Sequence, residues 1–209
     1  MKYKVMIVED QTMPRELFEL RVQSSEHFEV ALSIDNAALT DVYCLRFPVD
    51  LILMDVVTRG GESGLDAAER IKRAFPQIKI IIVTSMPECS YLSRAREIGV
   101  ESFWYKEEQR ESLLDVMERT MAGESVYPDA TPELQLGLAS SYKFTDRELE
   151  VLREMTGGDT NQEIAERLHM SVASVKTHIL NMLEKTGFRN RTELAGRARE
   201  SGLVILDRK

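Results

Sequence analysis

Over residues 1–120 the chain alternates between two textures, and this alternation limits the possible folds more than any other feature. Short apolar runs rich in branched residues occur at 3–8, 28–34, 51–54, 78–83 and 102–105. They are nearly continuous rather than alternating, as in strands buried on both faces of a parallel sheet. Helix-like stretches lie between them, at 14–24, 36–47, 65–75, 88–98 and 108–121. Pro14 suits a first helical turn, while Pro48 and Pro76 each follow a helix and precede a strand. Five strand–helix units predict a doubly wound α/β domain with a five-stranded parallel sheet.

Residues 122–143 change character. Gly123, Pro128, Pro132, Gly137 and Ala139-Ser140-Ser141 carry little periodicity, which predicts a linker or hinge. Residues 144–209 have no strand signal and four helix starts. Thr145 with Glu148, and Thr160 with Glu163, have the spacing of capping boxes; Ser171 and Asn190 are further N-caps. Gly158 and Gly187 stand where helices should end. The division is therefore an α/β domain over 1–122, a linker over 123–143 and an all-α four-helix domain over 144–209.

No apolar run approaches the roughly 18–20 residues of a membrane span. Val5–Val8 is too short for the core of a signal peptide and runs into Glu9-Asp10. Cys44 and Cys89 lie far apart without metal-type spacing, which argues against a disulfide scaffold or a zinc module. A cytoplasmic protein with no membrane partner is expected. Net charge is −8. Residues 1–120 carry 15 Lys and Arg against 21 Asp and Glu, 121–143 carry 1 against 3, and 144–209 carry 11 against 11. A chain this acidic has no general field for nucleic acid, so any such role rests on local basic placement in the C-terminal third.

In an open α/β sheet the functional crevice lies at the carboxyl ends of the strands. Glu9 and Asp10 follow the first run, Asp55 the third, Thr84 the fourth and Lys106 the fifth. Clustered carboxylates repel unless a divalent cation joins them, and hard oxygen donors suit Mg2+. A carboxylate beside such an ion is a suitable nucleophile toward phosphorus, which would give an aspartyl phosphate on Asp55. Thr84 and Lys106 would then hold the phosphoryl oxygens. One acidic residue at a strand end reads as merely solvated, whereas five polar groups of the needed types read as a site.

As a set, Glu9-Asp10, Asp55 after Leu51-Ile52-Leu53-Met54, Thr84 and Lys106 resemble the receiver domain of two-component response regulators, over residues 3–122. The resemblance implies a flavodoxin-like fold and an Asp55 that accepts a phosphoryl group from a sensor histidine kinase. It also implies that Glu9, Asp10, Asp55 and the backbone carbonyl of Val57 bind Mg2+. Thr84 and Phe103, three residues before Lys106, would form a switch pair, although Phe103-Trp104-Tyr105 also fits plain strand packing. Two departures stand out. Thr58-Arg59 occupies the place where the family usually has Met-Pro, and Gly60-Gly61-Glu62-Ser63-Gly64 is one residue longer than usual. That loop borders the metal, so unusual metal affinity and kinase docking are expected. Val57 and Met86, two beyond Asp55 and Thr84, cannot hold an attacking water, which implies a slowly hydrolysed phosphate.

The segments Thr145-Asp146-Arg147-Glu148, 161–165 and 171–178, continued by 190–195 and Gly202-Leu203, resemble the LuxR-type helix-turn-helix of NarL/FixJ regulators over 144–206. The third helix has an inward stripe of Val172, Val175, Ile179, Met182 and Leu183, so its far face carries Ala173, Thr177, Leu180, Asn181 and Glu184. The preceding Leu168-His169-Met170 turn makes this the recognition element. Lys176, Thr177 and Asn181 can reach base edges, and Leu180 is placed to touch a thymine methyl or to pack in a closed form. Lys185, Arg189 and Arg191 are placed for phosphates. Glu184 adds negative charge near the DNA backbone, so weak monomer binding and a dimer are expected, with Leu194, Leu203 and Val204 in its contact. His169 and His178 read as packing residues rather than metal ligands.

The leading expectation is a regulator that is phosphorylated on Asp55 and binds double-stranded promoter DNA as a homodimer, with RNA polymerase a further partner. A phosphohydrolase with an aspartyl intermediate would also place an Asp after a buried strand. Dehalogenase-type sites want a second Asp two residues on, and Val57 stands there. A third reading is a DNA binder that is independent of phosphate or regulated by a partner, with an atypical pocket.

Overall fold

The computed structural model describes residues 2–88, 90–106 and 111–204. The chain divides into two compact units, the first running to Ala130 apart from residues 86–88, and the second taking in those residues and the chain from Thr131. In the first, strands β1 (Tyr3–Val8), β2 (Phe28–Ile34), β3 (Leu51–Met54), β4 (Lys79–Thr84) and β5 (Ser102–Tyr105) form one parallel sheet. Their order is β2-β1-β3-β4-β5. The chain winds outward from β1 in both directions, so the crevice of this doubly wound sheet opens beyond the carboxyl ends of β1 and β3.

Helices α1 (Thr12–Gln23), α2 (Thr40–Cys44), α3 (Gly64–Ala74), α4 (Ser90–Ile98) and α5 (Leu113–Ala122) connect the strands. Val5, Ile7, Leu51, Leu53, Ile81, Val83 and Trp104 pack on Phe18 and Val22 of α1 and on Val116 and Met117 of α5. Met6, Ile52, Met54, Ile80 and Ile82 alternate with them and are equally buried. Burial of both pleated faces is the reason the strands read as unbroken apolar runs. Each such side chain contributes about 1.5–3 kcal/mol on leaving water.

Two helices are shorter than the sequence predicts. In place of one helix over 36–47 there is a 3-10 turn, Ala37–Leu39, capped by the Asn36 side chain, and then only α2. Leu39, Val42, Leu45 and Phe47 stay exposed, so little apolar burial supports a longer helix there. The last helix of this unit begins at Leu113 rather than 108 because Ser112 caps it, its Oγ accepting from Asp115 N; residues 107–110 lie outside the described set. Cys89 lies outside it too. Cys44 is half-buried, and burial, with Asp41 adding, pushes its thiol up to about 11.

The start of the expected linker belongs to the first unit. α5 ends at Gly123, which takes a left-handed conformation (φ 100°). Val126 then enters the core, its carbonyl accepting from Phe103 N (2.8 Å) and its amide donating to Ser102 Oγ (3.1 Å). Tyr127 lies against the Phe103 ring (6.3 Å between centroids), beneath the Arg96 guanidinium, and donates its hydroxyl to Val100 O. This segment covers the outer edge of β5, which would otherwise present unpaired backbone groups. Later in the expected linker, β6 (Gln135–Leu136) and β7 (Ala139–Ser140) form a small hairpin whose Leu136 and Ala139 are core residues of the second unit.

The second unit carries α6 (Asp146–Thr156), α7 (Asn161–Arg167), α8 (Val172–Thr186) and α9 (Arg191–Ser201). Both expected capping boxes form, at Thr145/Glu148 and Thr160/Glu163, and Ser171 and Asn190 cap α8 and α9. The turn between α7 and α8 closes by two bonds, Met170 N to Ala165 O and His169 N to Glu166 O, with His169 at φ 51°. Crossed bonds of this kind satisfy the last carbonyls of a helix and fix the exit direction of the chain. The core joins Leu149, Leu152, Ile164, Val175, Ile179 and Met182 across three of the helices.

Candidate functional site

Each polar residue of the first unit's crevice is set by a strand end. Glu9 and Asp10 leave β1, with Glu9 N donating to Ile34 O at 2.9 Å. Asp55 leaves β3, its amide donating to Val8 O at 2.9 Å, and Lys106 leaves β5 with its amide on Thr84 O at 2.9 Å. Carboxylate oxygens of Glu9, Asp10 and Asp55 lie within 4.8 Å of one another. The Lys106 ammonium donates to Glu9 Oε2 (2.5 Å) and to Asp55 Oδ2 (2.7 Å), and it lies 5.9 Å from the centre of the Phe18 ring. Glu9 and Thr84 are fully buried, Asp55 is 4% exposed, and Asp10 is half-buried.

The electrostatics follow from that burial. Desolvation pushes the Asp55 carboxyl up to about 6; the Lys106 ammonium opposes the rise and Glu9 adds to it. Burial works to lower Lys106, but the Asp55 and Glu9 carboxylates outweigh it and hold its ammonium above the ordinary range. Lys106 thus offsets part of the repulsion between two carboxylates. Three acidic side chains against one cation still leave an excess of hard negative oxygens, the donor set that Mg2+ takes.

The loop after Asp55 is tightly anchored in spite of its unusual sequence. Thr58 Oγ1 accepts from Ala37 N (3.0 Å), and Arg59 N donates to Asp35 O (3.2 Å). Val57 and Ser63 form a β-bridge, and Ser63 caps α3. A Cβ on Gly60 (φ 92°) would lie 2.7 Å from the Asn36 side chain, and one on Gly64 only 1.9 Å from the Asp55 carbonyl. Gly60 and Gly61 both take left-handed conformations, and the hydroxyl of Thr58 ties the loop to the turn before α2. The sequence signals for these anchors were the glycines and Ser63; the partner of Thr58 is non-local and had none.

In the second unit the exposed face of α8 carries Ala173, Lys176, Thr177, Leu180, Asn181 and Glu184, as the helical period predicts, and Arg189 is exposed just beyond. Two further cations differ from expectation. Lys185 gives its ammonium to Glu148 Oε1 (2.8 Å), Glu148 Oε2 (2.6 Å) and Lys143 O (2.8 Å). Arg191 donates to Asn161 Oδ1 (2.8 Å) and Asp159 O (2.7 Å), joining the first turns of α9 and α7. Both bind inside the unit rather than standing free for phosphates. Burial works to raise the Glu148 carboxyl, but Lys185 and the Thr145 amide outweigh it and hold it below the usual carboxylate range. Sequence reasoning took Glu148 as a cap alone and missed this second partner.

The expected dimer residues also stand elsewhere. Leu194, Leu203 and Val204 are buried in the core of their own unit. Gly202 (φ 71°) ends α9, with Leu203 N bonded to Ala198 O and Gly202 N to Arg199 O, and this turn folds Leu203 back onto the helix.

Comparison with known proteins agrees with these two units. Residues 5–118 match the family described as response regulator receiver domain, and residues 142–198 match bacterial regulatory proteins, luxR family. The response regulator protein VraR of Staphylococcus epidermidis is 32% identical over 98% of this chain and all of its own length. VraR of Staphylococcus aureus is 30% identical over the same shares. Among solved structures, RcsB from Salmonella enterica serovar Typhimurium bound to promoter rprA covers 94% of this chain and 98% of its own, with a TM-score of 0.61 at 20% identity. An RcsB–DNA complex aligns over 96% of this chain and 99% of its own, with a TM-score of 0.64 at 19% identity. The chain therefore belongs to the luxR family of two-component response regulators, DNA-binding transcription regulators rather than enzymes, in which a receiver domain precedes a LuxR-type helix-turn-helix domain.

Proposed function

We propose that the receiver accepts a phosphoryl group on Asp55 from a sensor histidine kinase and that this controls promoter binding by the second unit as a dimer. The observation that carries the reading is the Lys106 ammonium bridging the buried Asp55 and Glu9 carboxylates at the carboxyl end of the sheet. Glu9, Asp10, Asp55 and the Val57 carbonyl would hold Mg2+, which supplies charge neutralisation at the carboxylates and the phosphoryl oxygens. Asp55 Oδ attacks the phosphorus, the bond to the phosphohistidine nitrogen breaks, and the freed imidazole keeps the electron pair. Lys106 holds one phosphoryl oxygen by a charge-assisted bond, and Thr84 offers its hydroxyl to another. Thr84 and Phe103 then rearrange together; burial of Phe103 between Tyr105 and Tyr127 means that its movement disturbs the covered edge of β5.

On the output side, Lys176, Thr177, Leu180 and Asn181 of α8 face the major groove, and Arg189 meets phosphate. The related RcsB structures are of DNA complexes and of dimers bound to DNA, which supports the same output here. No helix among the described residues is long and apolar enough to cross a membrane. A cytoplasmic site of action and contact with RNA polymerase follow from the promoter reading.

The test is intact mass after incubation with a small acyl phosphate, with and without Mg2+, on wild type and Asp55→Asn. The expected result is a Mg2+-dependent gain of one phosphoryl group that the variant lacks. Chasing that adduct after removal of the donor gives its lifetime, and Val57 and Met86 predict one well beyond seconds. No gain from either an acyl phosphate or a kinase would overturn the receiver half. Promoter binding unchanged by Asp55→Asn and by phosphorylation would leave the DNA module acting independently of Asp55.

A further inference from the structure

Lys185 lies on the helix that carries the candidate base contacts, one turn beyond Asn181, and by sequence it belongs to the phosphate-binding set. Its surroundings say otherwise. An ammonium has three N–H donors. All three are used within hydrogen-bonding distance inside the second unit, on both oxygens of Glu148 and on the Lys143 carbonyl. The ammonium also lies over the Phe144 ring, 5.9 Å from its centroid. Glu148 is almost completely buried, and its Oε2 also accepts from Thr145 N (2.8 Å), so the same carboxylate closes the capping box of α6.

We propose that Lys185 is a positioning residue for DNA recognition: with Glu148 it pins the C-terminal turn of α8 to the N-terminal turn of α6, and it makes no contact with phosphate. This rests on α8 being the recognition helix. The pair joins two helix termini, where backbone groups lack intrahelical partners. Positive charge at the last turn of α8 and negative charge at the first turn of α6 also complement both helix dipoles. Lys185 lies four residues from Asn181 and eight from Thr177, so fixing it fixes the rotation of α8 about its axis and the direction in which Thr177 and Asn181 point. Loss of the ammonium alone leaves a buried carboxylate without its cation, which costs more than loss of both charges together.

The experiment uses the full chain and a 30-bp duplex that wild type selects from a random-sequence pool, with affinity measured by fluorescence anisotropy from about 50 to 200 mM salt. Lys185→Met is expected to bind about ten-fold more weakly, with the slope of log K against log salt unchanged. Glu148→Gln with Lys185→Met keeps the cap acceptor and removes the orphaned charge, and it is expected to recover affinity to within about three-fold of wild type. A slope shallower by about 0.9 in Lys185→Met, with no rescue by Glu148→Gln, would make Lys185 a phosphate contact and overturn the proposal. A lower melting temperature with unchanged affinity in the folded variant would reduce the pair to a stabiliser and overturn it equally. Failure of wild type to select any duplex would instead defeat the DNA reading itself.

Discussion

Gly64→Ala tests how closely the loop after Asp55 is fitted to the acceptor. The backbone of Gly64 does not need a left-handed conformation, so the residue is there for space. An added Cβ would lie 1.9 Å from the Asp55 carbonyl oxygen, 2.9 Å from its carbonyl carbon and 3.0 Å from Met54 Cγ. Ordinary carbon–oxygen contact begins near ~3.3 Å, so loop and strand end must part by more than an ångström. The shift strains the Gly64 N to Val56 O bond (2.8 Å) and the capping bond that Leu65 N donates to Ser63 Oγ (3.3 Å). Overpacking at ~1–3 kcal/mol, with ~1 kcal/mol each for the bond and the cap, gives a loss of about 3–5 kcal/mol. Gly61→Ala is the control: its φ of 80° is left-handed, but its Cβ would meet nothing within 4 Å, so only backbone strain is added. That costs about 1–2 kcal/mol. The chain has one tryptophan, Trp104, buried in the receiver core, so its fluorescence during urea unfolding reports this unit. At a typical slope of ~2 kcal/mol per molar urea, Gly64→Ala should lower the midpoint by about 2 M. A variant within 1 kcal/mol of wild type, or no worse than Gly61→Ala, would refute the close-approach argument.

Mg2+ at ten times its dissociation constant should stabilise the receiver by about 1.4 kcal/mol, read as a rise in melting temperature. Asp10→Asn should remove most of that rise; an equal rise in the variant would place the ion elsewhere. Glu148 is held below its ordinary range, so the folded state binds fewer protons than the unfolded chain at this group. Its contribution is present above the unfolded carboxyl value and is lost as pH falls through the folded one. Melting of the helical unit between about pH 6 and pH 3 should therefore fall less steeply in Glu148→Gln than in wild type. Leu203→Ala should cost about 2–5 kcal/mol of helical-unit stability through an internal cavity. The dimerisation constant of the folded variant, measured by sedimentation, should match wild type if Leu203 serves only its own core.

Strands β1, β3, β4 and β5 were legible because burial on both faces makes them short, nearly unbroken apolar runs, whereas β2 is only partly buried and the apolar run at 42–45 lies in and after a helix. Carboxyl-end residues followed directly from that, since a parallel sheet delivers the residue after every strand to one rim. Helix caps were legible for a similar reason, being local chemistry written within four residues. What the sequence hid is contact between distant segments. Val126 and Tyr127 look like linker until they are seen on the edge of β5. Thr58 reads as a missing Met until its hydroxyl is found on Ala37 N. Lys185, Arg191, Leu203 and Val204 sit at surface-like positions in the pattern, yet each is turned inward by a partner on another helix or by the glycine turn after α9.

The hidden pairings alter the electrostatics of the output. Residues 144–209 balance 11 basic against 11 acidic residues. Within that balance Lys185, Arg191 and Arg167 are bonded to Glu148, Asn161, Glu154 and Asp159. Among the described residues few cations remain to displace counterions, and Glu184 stands on the same helix face as Lys176. Each phosphate neutralised contributes about 0.9 to the salt slope, so one module with the proposed contacts at Lys176 and Arg189 is expected to show a shallow slope and low affinity. Two modules tied together make the second contact intramolecular, which multiplies affinity without any new basic residue. On the proposed reading, a neutral helical domain suits a switch: alone it should bind weakly, so whatever brings two copies together would control the output.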